Sequence, residues 1–173
     1  MQQVIRSVLS AMDITFVEAN DHFSLAMRGD YGLFDIEVRT MEQPPLLWLR
    51  TSLPVRARGE QKAAVLEAAL ALNYTRPMVK LGHDPSDGEI VLYLDVPVID
   101  RTLTEVEFAT YLAVVIGATQ DILPRLLKVA LGCESVAQSL SLPVPSRRRA
   151  RRRMSRAERE AREIVERLDI EEA

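Results

Sequence analysis

Along the first 130 residues the apolar positions change period several times, and each change marks an element. Val4, Ile5, Val8, Leu9 and Met12 recur three and four apart, which predicts an amphipathic helix over about residues 2–13. Phe23, Leu25 and Met27 then alternate with Ser24, Ala26 and Arg28. Gly29-Asp30-Tyr31-Gly32 supplies turn chemistry, and Phe34, Ile36 and Val38 alternate with Asp35, Glu37 and Arg39. This is the pattern of a β-hairpin. Pro44-Pro45 closes its second strand. A third strand follows, with Leu47, Leu49 and Leu53 on one face and Leu46, Trp48 and Arg50 on the other.

From Gly59 to Asn73 the pattern becomes an Ala-rich helix whose apolar stripe is Val65, Leu66, Ala69, Leu70 and Leu72. Asn73 suits a left-handed C-cap, and Pro77 prevents continuation. Strands over Met78–His83 and Ile90–Val98 flank the turn Asp84-Pro85-Ser86-Asp87-Gly88, which predicts a second hairpin. Thr104-Glu105-Val106-Glu107 has the capping-box form. Leu112, Ala113, Ile116, Thr119, Leu123, Leu126, Leu127 and Ala130 then mark a long helix, which Pro124 kinks or restarts with Asp121 as a new cap.

The order α-β-β-β-α-β-β-α, joined by hairpins instead of obligatory crossovers, predicts an α+β fold: an antiparallel sheet with helices packed on one face, over residues 1–141. If Phe34, Ile36, Val38, Leu47, Leu49, Ile90, Leu92, Leu94 and Val96 face the helices, period-two geometry puts Leu33, Met41, Leu46, Trp48, Val91 and Tyr93 on the opposite side. A partly apolar sheet face left in water suits a partner polypeptide or a second subunit. Trp48 and Tyr93 are the expected anchors, with Leu46, Val91 and Met41 around them. The competing outcome is that the C-terminal segment or a loop covers this face.

Composition narrows the classes. The chain has 173 residues, 47% hydrophobic and 27% charged, with one cysteine. This excludes disorder throughout and a disulfide scaffold, and no uninterrupted apolar run suggests a membrane span. The first segment mixes Gln2, Gln3, Arg6 and Asp13 into its apolar residues, unlike a secretory signal, so a cytoplasmic location is expected. Cys133 is then expected to be a small buried hydrophobe.

Candidate chemistry is sparse. His22 and His83 lack the companions that metal-ligand spacing requires, and Asp84 and Asp87 read as turn residues rather than cation ligands. The triplet Arg28-Gly29-Asp30 falls in a hairpin turn and carries no weight. No phosphate cradle, nucleophile elbow or zinc-binding histidine pair occurs, so the residues predict no enzyme, no cofactor and no metal.

The net charge of −3 hides a segregation. Residues 1–146 carry 12 basic and 18 acidic groups, net −6, whereas residues 147–173 carry 10 basic and 7 acidic groups, net +3. A Pro/Arg-rich linker is expected over 142–154 and an amphipathic helix over 155–173, where Ser155-Arg156-Ala157-Glu158 has capping-box form. Arg147, Arg148, Arg149, Arg151, Arg152, Arg153 and Arg156 lie within ten positions with no acid between them. Such a run can neutralise nucleic-acid phosphates, which is the alternative functional reading. The same run can contact the chain's own acidic body, an acidic protein or anionic lipid.

The element order, Leu70-Ala71-Leu72-Asn73-Tyr74 ending the middle helix, the acidic turn before Gly88-Glu89-Ile90-Val91-Leu92-Tyr93, and the long closing helix together resemble the YbjN-like group of bacterial sensory-transduction regulators. The resemblance covers about residues 2–131. It implies the fold of type III secretion chaperones and a small, often dimeric protein that binds, holds or regulates other polypeptides without turnover chemistry.

Overall fold

The computed structural model describes residues 1–20 and 22–140. Helix α1 (Gln2–Ala11) leads into four consecutive strands, β1 (Phe16–Ala19), β2 (His22–Gly29), β3 (Gly32–Glu42) and β4 (Pro45–Arg56). A 3-10 turn at Gly59–Gln61 opens α2 (Lys62–Thr75). Strands β5 (Lys80–His83) and β6 (Glu89–Pro97), the long helix α3 (Glu105–Ala130) and the short α4 (Val136–Leu140) follow. All six strands join one antiparallel sheet in the order β1-β2-β3-β4-β6-β5.

The alternation seen in the sequence becomes the two sides of this sheet. Phe23, Leu25, Ile36, Val38, Leu47, Leu49, Leu53, Ile90 and Leu92 are buried to 1% exposure or less. They meet Ile5 and Leu9 of α1, Val65 and Leu72 of α2, and Phe108, Leu112, Val115 and Leu126 of α3 in a single core. Helix α3 lies along β4 and β6, with α1 and α2 packed beside it. It is 26 residues long with a mean hydropathy of 1.3 in its most apolar window, but half of that window is buried inside the protein. Its length and apolarity are those of a core helix.

Gly88 closes the β5–β6 turn at φ +74°, and a Cβ there would come within 3.0 Å of the Ala57 carbonyl. The Gly88 carbonyl in turn accepts the Ala57 N–H at 2.7 Å. Glycine is therefore required for both dihedral and space. Asp84 Oδ1 accepts the Ser86 N–H and hydroxyl, and Asp87 Oδ1 accepts the Glu89 N–H, so both carboxylates serve the turn.

Several expectations need correction. The sheet has a sixth strand, β1, because Phe16-Val17-Glu18-Ala19 pairs with the start of β2; it is too short for alternation to reveal. Leu70 is outside the core: it is 70% exposed, while Ala68 takes the buried position. Asn73 is no left-handed cap but an interior residue of α2, whose side chain bonds to Leu81. Helix α3 runs through Pro124 without restarting. Asp121 caps nothing, since its carboxylate is held by Arg76 and Arg125. Cys133 is exposed, because the chain turns at Gly132 just beyond α3.

Candidate protein-binding face

The residues expected to leave the core side of the sheet do so together. Leu33 and Met41 are exposed, and Leu46, Trp48, Val91 and Tyr93 are half-buried on the side away from the helices. Antiparallel register sets them in rows. Arg39 stands opposite Trp48, which stands opposite Asp95; Glu37 faces Arg50, which faces Tyr93; Met41 faces Leu46, which faces Pro97. Side chains directly opposite on one face are in contact range, so these rows form one continuous surface.

Trp48 is its centre. The guanidinium carbons of Arg39 and Arg50 lie 5.6 and 6.0 Å from the indole centroid, within the range of cation–π attraction. Each arginine also has a carboxylate: Arg39 Nε donates to Glu37 at 2.7 Å and Arg50 donates to Glu89 at 2.7 Å. Two ion pairs thus fix the guanidiniums that lie over the indole ring. Asp95, opposite Trp48, has its carboxyl held above the ordinary aspartate range by burial. The arrangement offers aromatic area with a charged rim, a composition of the kind found in protein interfaces.

A second apolar surface lies on α2 and includes Leu66 and Leu70, which the sequence assigns to the helix's apolar stripe. Leu66, Leu70 and Tyr74 recur four apart on α2, and Leu70 and Tyr74 are 70% and 93% exposed. Met78, just beyond the helix, is exposed as well. The signal was present in the sequence: Leu66, Leu70 and Tyr74 follow a stripe offset from Val65, Ala68, Ala69 and Leu72, so α2 is apolar on two sides.

A third cluster joins three helices or their ends. Arg76, just past α2, and Arg125 of α3 both bind the Asp121 carboxylate, and Arg125 also reaches the Ser139 carbonyl of α4 at 3.5 Å. Burial lowers the pKa of both arginines, and the nearby Arg125 charge adds to the effect on Arg76. Among the described residues no group of three or more His, Cys, Asp or Glu could hold a metal ion. The seven arginines from Arg147 to Arg156, the linker over 142–154 and the helix over 155–173 lie outside the described residues.

The family described as "Putative bacterial sensory transduction regulator", YbjN, matches residues 2–128. The chain belongs to the YbjN family. The crystal structure of YbjN from E. coli aligns with a TM-score of 0.54 at 19% identity, covering 76% of this chain and 93% of that one. The ExsC–ExsE complex aligns at 0.51 with 16% identity, over 70% of this chain and 91% of that one. The HopA1–SchA chaperone–effector complex aligns at 0.48 with 16% identity, over 67% and 87%. Among curated proteins nothing matches. The YbjN domain here has the antiparallel α+β fold expected from the alternation of its residues, and the type III secretion chaperone-like form of it that the family resemblance implied.

Proposed function

We propose that this YbjN-family protein is a non-enzymatic, cytoplasmic polypeptide-binding module of regulatory or chaperone-like role, which receives a partner chain on the sheet face centred on Trp48. One observation carries the reading: among the described residues the helices pack on one side of the sheet, while Trp48, Tyr93, Val91, Leu46 and Met41 remain accessible together on the other. Aromatic residues in such a setting are the usual anchors of protein interfaces. The family's regulatory description and the fold shared with the ExsC–ExsE complex support the same class of role.

Self-association is assigned to a different surface. The outer stripe Leu66, Leu70 and Tyr74 is a single apolar patch on one helix, which two copies can bury against each other in an isologous contact. The sheet face is thereby left for the partner.

The test is capture from native extract with wild-type and Trp48→Ala baits. A partner retained by wild type and lost by Trp48→Ala, with both baits equally folded, supports the reading; equal capture by both removes it. The nucleic-acid alternative rests on the arginine run alone. It predicts binding of duplex DNA or RNA that falls steeply with salt and disappears when residues 147–173 are removed.

A further inference from the structure

We infer that Arg76 and Arg125, converging where α2, α3 and α4 meet, form a binding site for a phosphate group, carried either by the free ion or by a phosphomonoester. The site lies on the helix side of the sheet, so the inference is independent of the reading of the Trp48 face.

Charge balance is the first argument. Both guanidiniums meet the carboxylate of Asp121: Arg76 donates to Oδ2, and Arg125 donates to Oδ1 at 3.2 Å. Among the described residues neither has a second carboxylate, so two cations face one anion. Arginine cannot shed its charge by losing a proton. The Arg125 side chain is 6% exposed and that of Arg76 25%, so water compensates the surplus poorly, and burial works against both charged forms. The helix C-terminal carbonyls at this junction supply only partial charge. Lys80, whose Nζ reaches the Arg76 carbonyl at 3.5 Å, brings a third cation to the same corner. A buried surplus of this kind is costly until an anion joins it.

Donor geometry is the second argument. Asp121 takes one nitrogen from each arginine, which leaves Nε of both and Nη1 of Arg76 without a partner among the described residues. Arg125 is fixed from behind: its Nη1 reaches the Ser139 carbonyl at 3.5 Å, and the Ser139 hydroxyl donates to the Arg125 carbonyl at 3.2 Å. Its place is therefore set by α4 before any ligand arrives. Arg76, the more exposed of the two, gives the ion its way in. A tetrahedral phosphate has acceptor oxygens for two guanidiniums that come from different elements, whereas a second planar carboxylate is filled by one bidentate fork.

The experiment melts the full-length chain in inorganic phosphate, glycerol phosphate or acetate, each against sodium chloride of equal ionic strength. A millimolar site filled at about 20 mM phosphate should raise the Tm of wild type by about 5 °C over chloride. Arg76→Gln and Arg125→Met should each lose most of that shift, while Arg28→Gln, on the remote strand β2, keeps it. Asp121→Asn leaves both guanidiniums without their carboxylate, so it should melt low in chloride and regain more from phosphate than wild type does. Broadening of the phosphate phosphorus resonance by each folded protein reads binding separately from stability. A wild type that melts alike in phosphate and chloride overturns the inference, as does a shift that survives in both arginine variants, which would be general salting-out. An equal shift in acetate overturns the assignment to phosphate. Glycerol phosphate matching inorganic phosphate supports a phosphomonoester as the occupant, and a response to inorganic phosphate alone supports the free ion.

Discussion

The carboxamide of Asn73 completes the outer backbone edge of β5 at Leu81: Oδ1 accepts the Leu81 N–H at 2.7 Å, and Nδ2 donates to the Leu81 carbonyl at 3.0 Å. A side chain on α2 thus makes the pair of bonds that another strand would make, and blocks strand addition at that point. Two part-buried hydrogen bonds contribute about 1–3 kcal/mol together. Asn73→Ala is expected to lose that much in denaturant unfolding and to self-associate as concentration rises. Asn73→Asp keeps the acceptor, loses the donor and sets a carboxylate against the Leu81 carbonyl, so it should be no more stable than Asn73→Ala. An Asn73→Ala protein of unchanged stability that stays dispersed in sedimentation would show that the pairing does not guard the edge.

Trp48 and Phe108 contrast the proposed binding aromatic with a core aromatic. Phe108 is fully buried beneath the sheet, whereas Trp48 lies half-buried on the open side. Phe108→Ala should cost about 3–5 kcal/mol. Trp48→Ala should cost no more than about 1.5 kcal/mol, since it leaves no closed cavity. Equal costs in urea titrations would place Trp48 among the structural residues and remove it as an anchor.

These two comparisons also show what was legible in the chain. Strict alternation in β2, β3, β4 and β6 assigned each residue to a side of the sheet, because one side is buried and a one-residue slip would invert every side chain. The Thr104–Glu107 capping box placed the start of α3 for an equally local reason. Strand β1 was not legible, since four residues carry too little periodicity and its existence depends on pairing with β2. Asn73 was misread because its partner, Leu81, lies across a turn, and cap propensity says nothing about a tertiary acceptor. Leu70 was placed in the core because an alanine-rich helix apolar on two sides gives no preferred face. The choice of Ala68 over Leu70 is made by the close approach of α3 and α4.

The outer stripe of α2 gives a prediction with opposite signs for neighbouring residues. Leu72 is buried, so Leu72→Ala should cost about 2–5 kcal/mol. Leu70→Asp and Tyr74→Ser replace exposed groups and should change stability by less than about 0.5 kcal/mol while shifting the particle from dimer to monomer. Light scattering coupled to size exclusion reads the mass directly. A wild-type monomer, or a dimer indifferent to both substitutions, assigns self-association elsewhere or nowhere.

The capping box makes stability depend on pH in a defined direction. Thr104 N–H donates to Glu107 Oε2 at 2.9 Å, and that backbone bond, with help from the Thr104 hydroxyl and Arg101, holds the Glu107 carboxyl below its ordinary value of 4.5. The unfolded chain therefore binds the proton more readily than the folded one. The contribution is fully present above about pH 5 and is lost as pH falls through the folded-state pKa. Glu107→Gln should flatten the fall in stability below pH 4.5, and Thr104→Ala should lower stability by about 1 kcal/mol at neutral pH. Melting curves of Glu107→Gln parallel to wild type from pH 6 to pH 3 would remove the linkage.

Among the described residues Asp121 is the single carboxylate that holds Arg76 and Arg125 together, and its substitution should be the most costly change at the helix junction. The Arg125 side chain is 6% exposed, so its charge is scarcely compensated by water. Asp121→Asn keeps size and some hydrogen bonding but leaves two guanidiniums against each other, an uncompensated buried charge worth about 3–5 kcal/mol. Arg125→Met acts differently. It removes one of the two cations, leaves Asp121 paired with Arg76, and fills a similar volume with an apolar chain at the cost of one long contact to the Ser139 carbonyl. Replacing a buried ion by a packed apolar group is often near neutral, so Arg125→Met should lose no more than about 1 kcal/mol. The expected order in chemical denaturation is wild type close to Arg125→Met, and both well above Asp121→Asn. The reverse order would mean that the Arg125 contact to α4, and not the shared carboxylate, secures the junction.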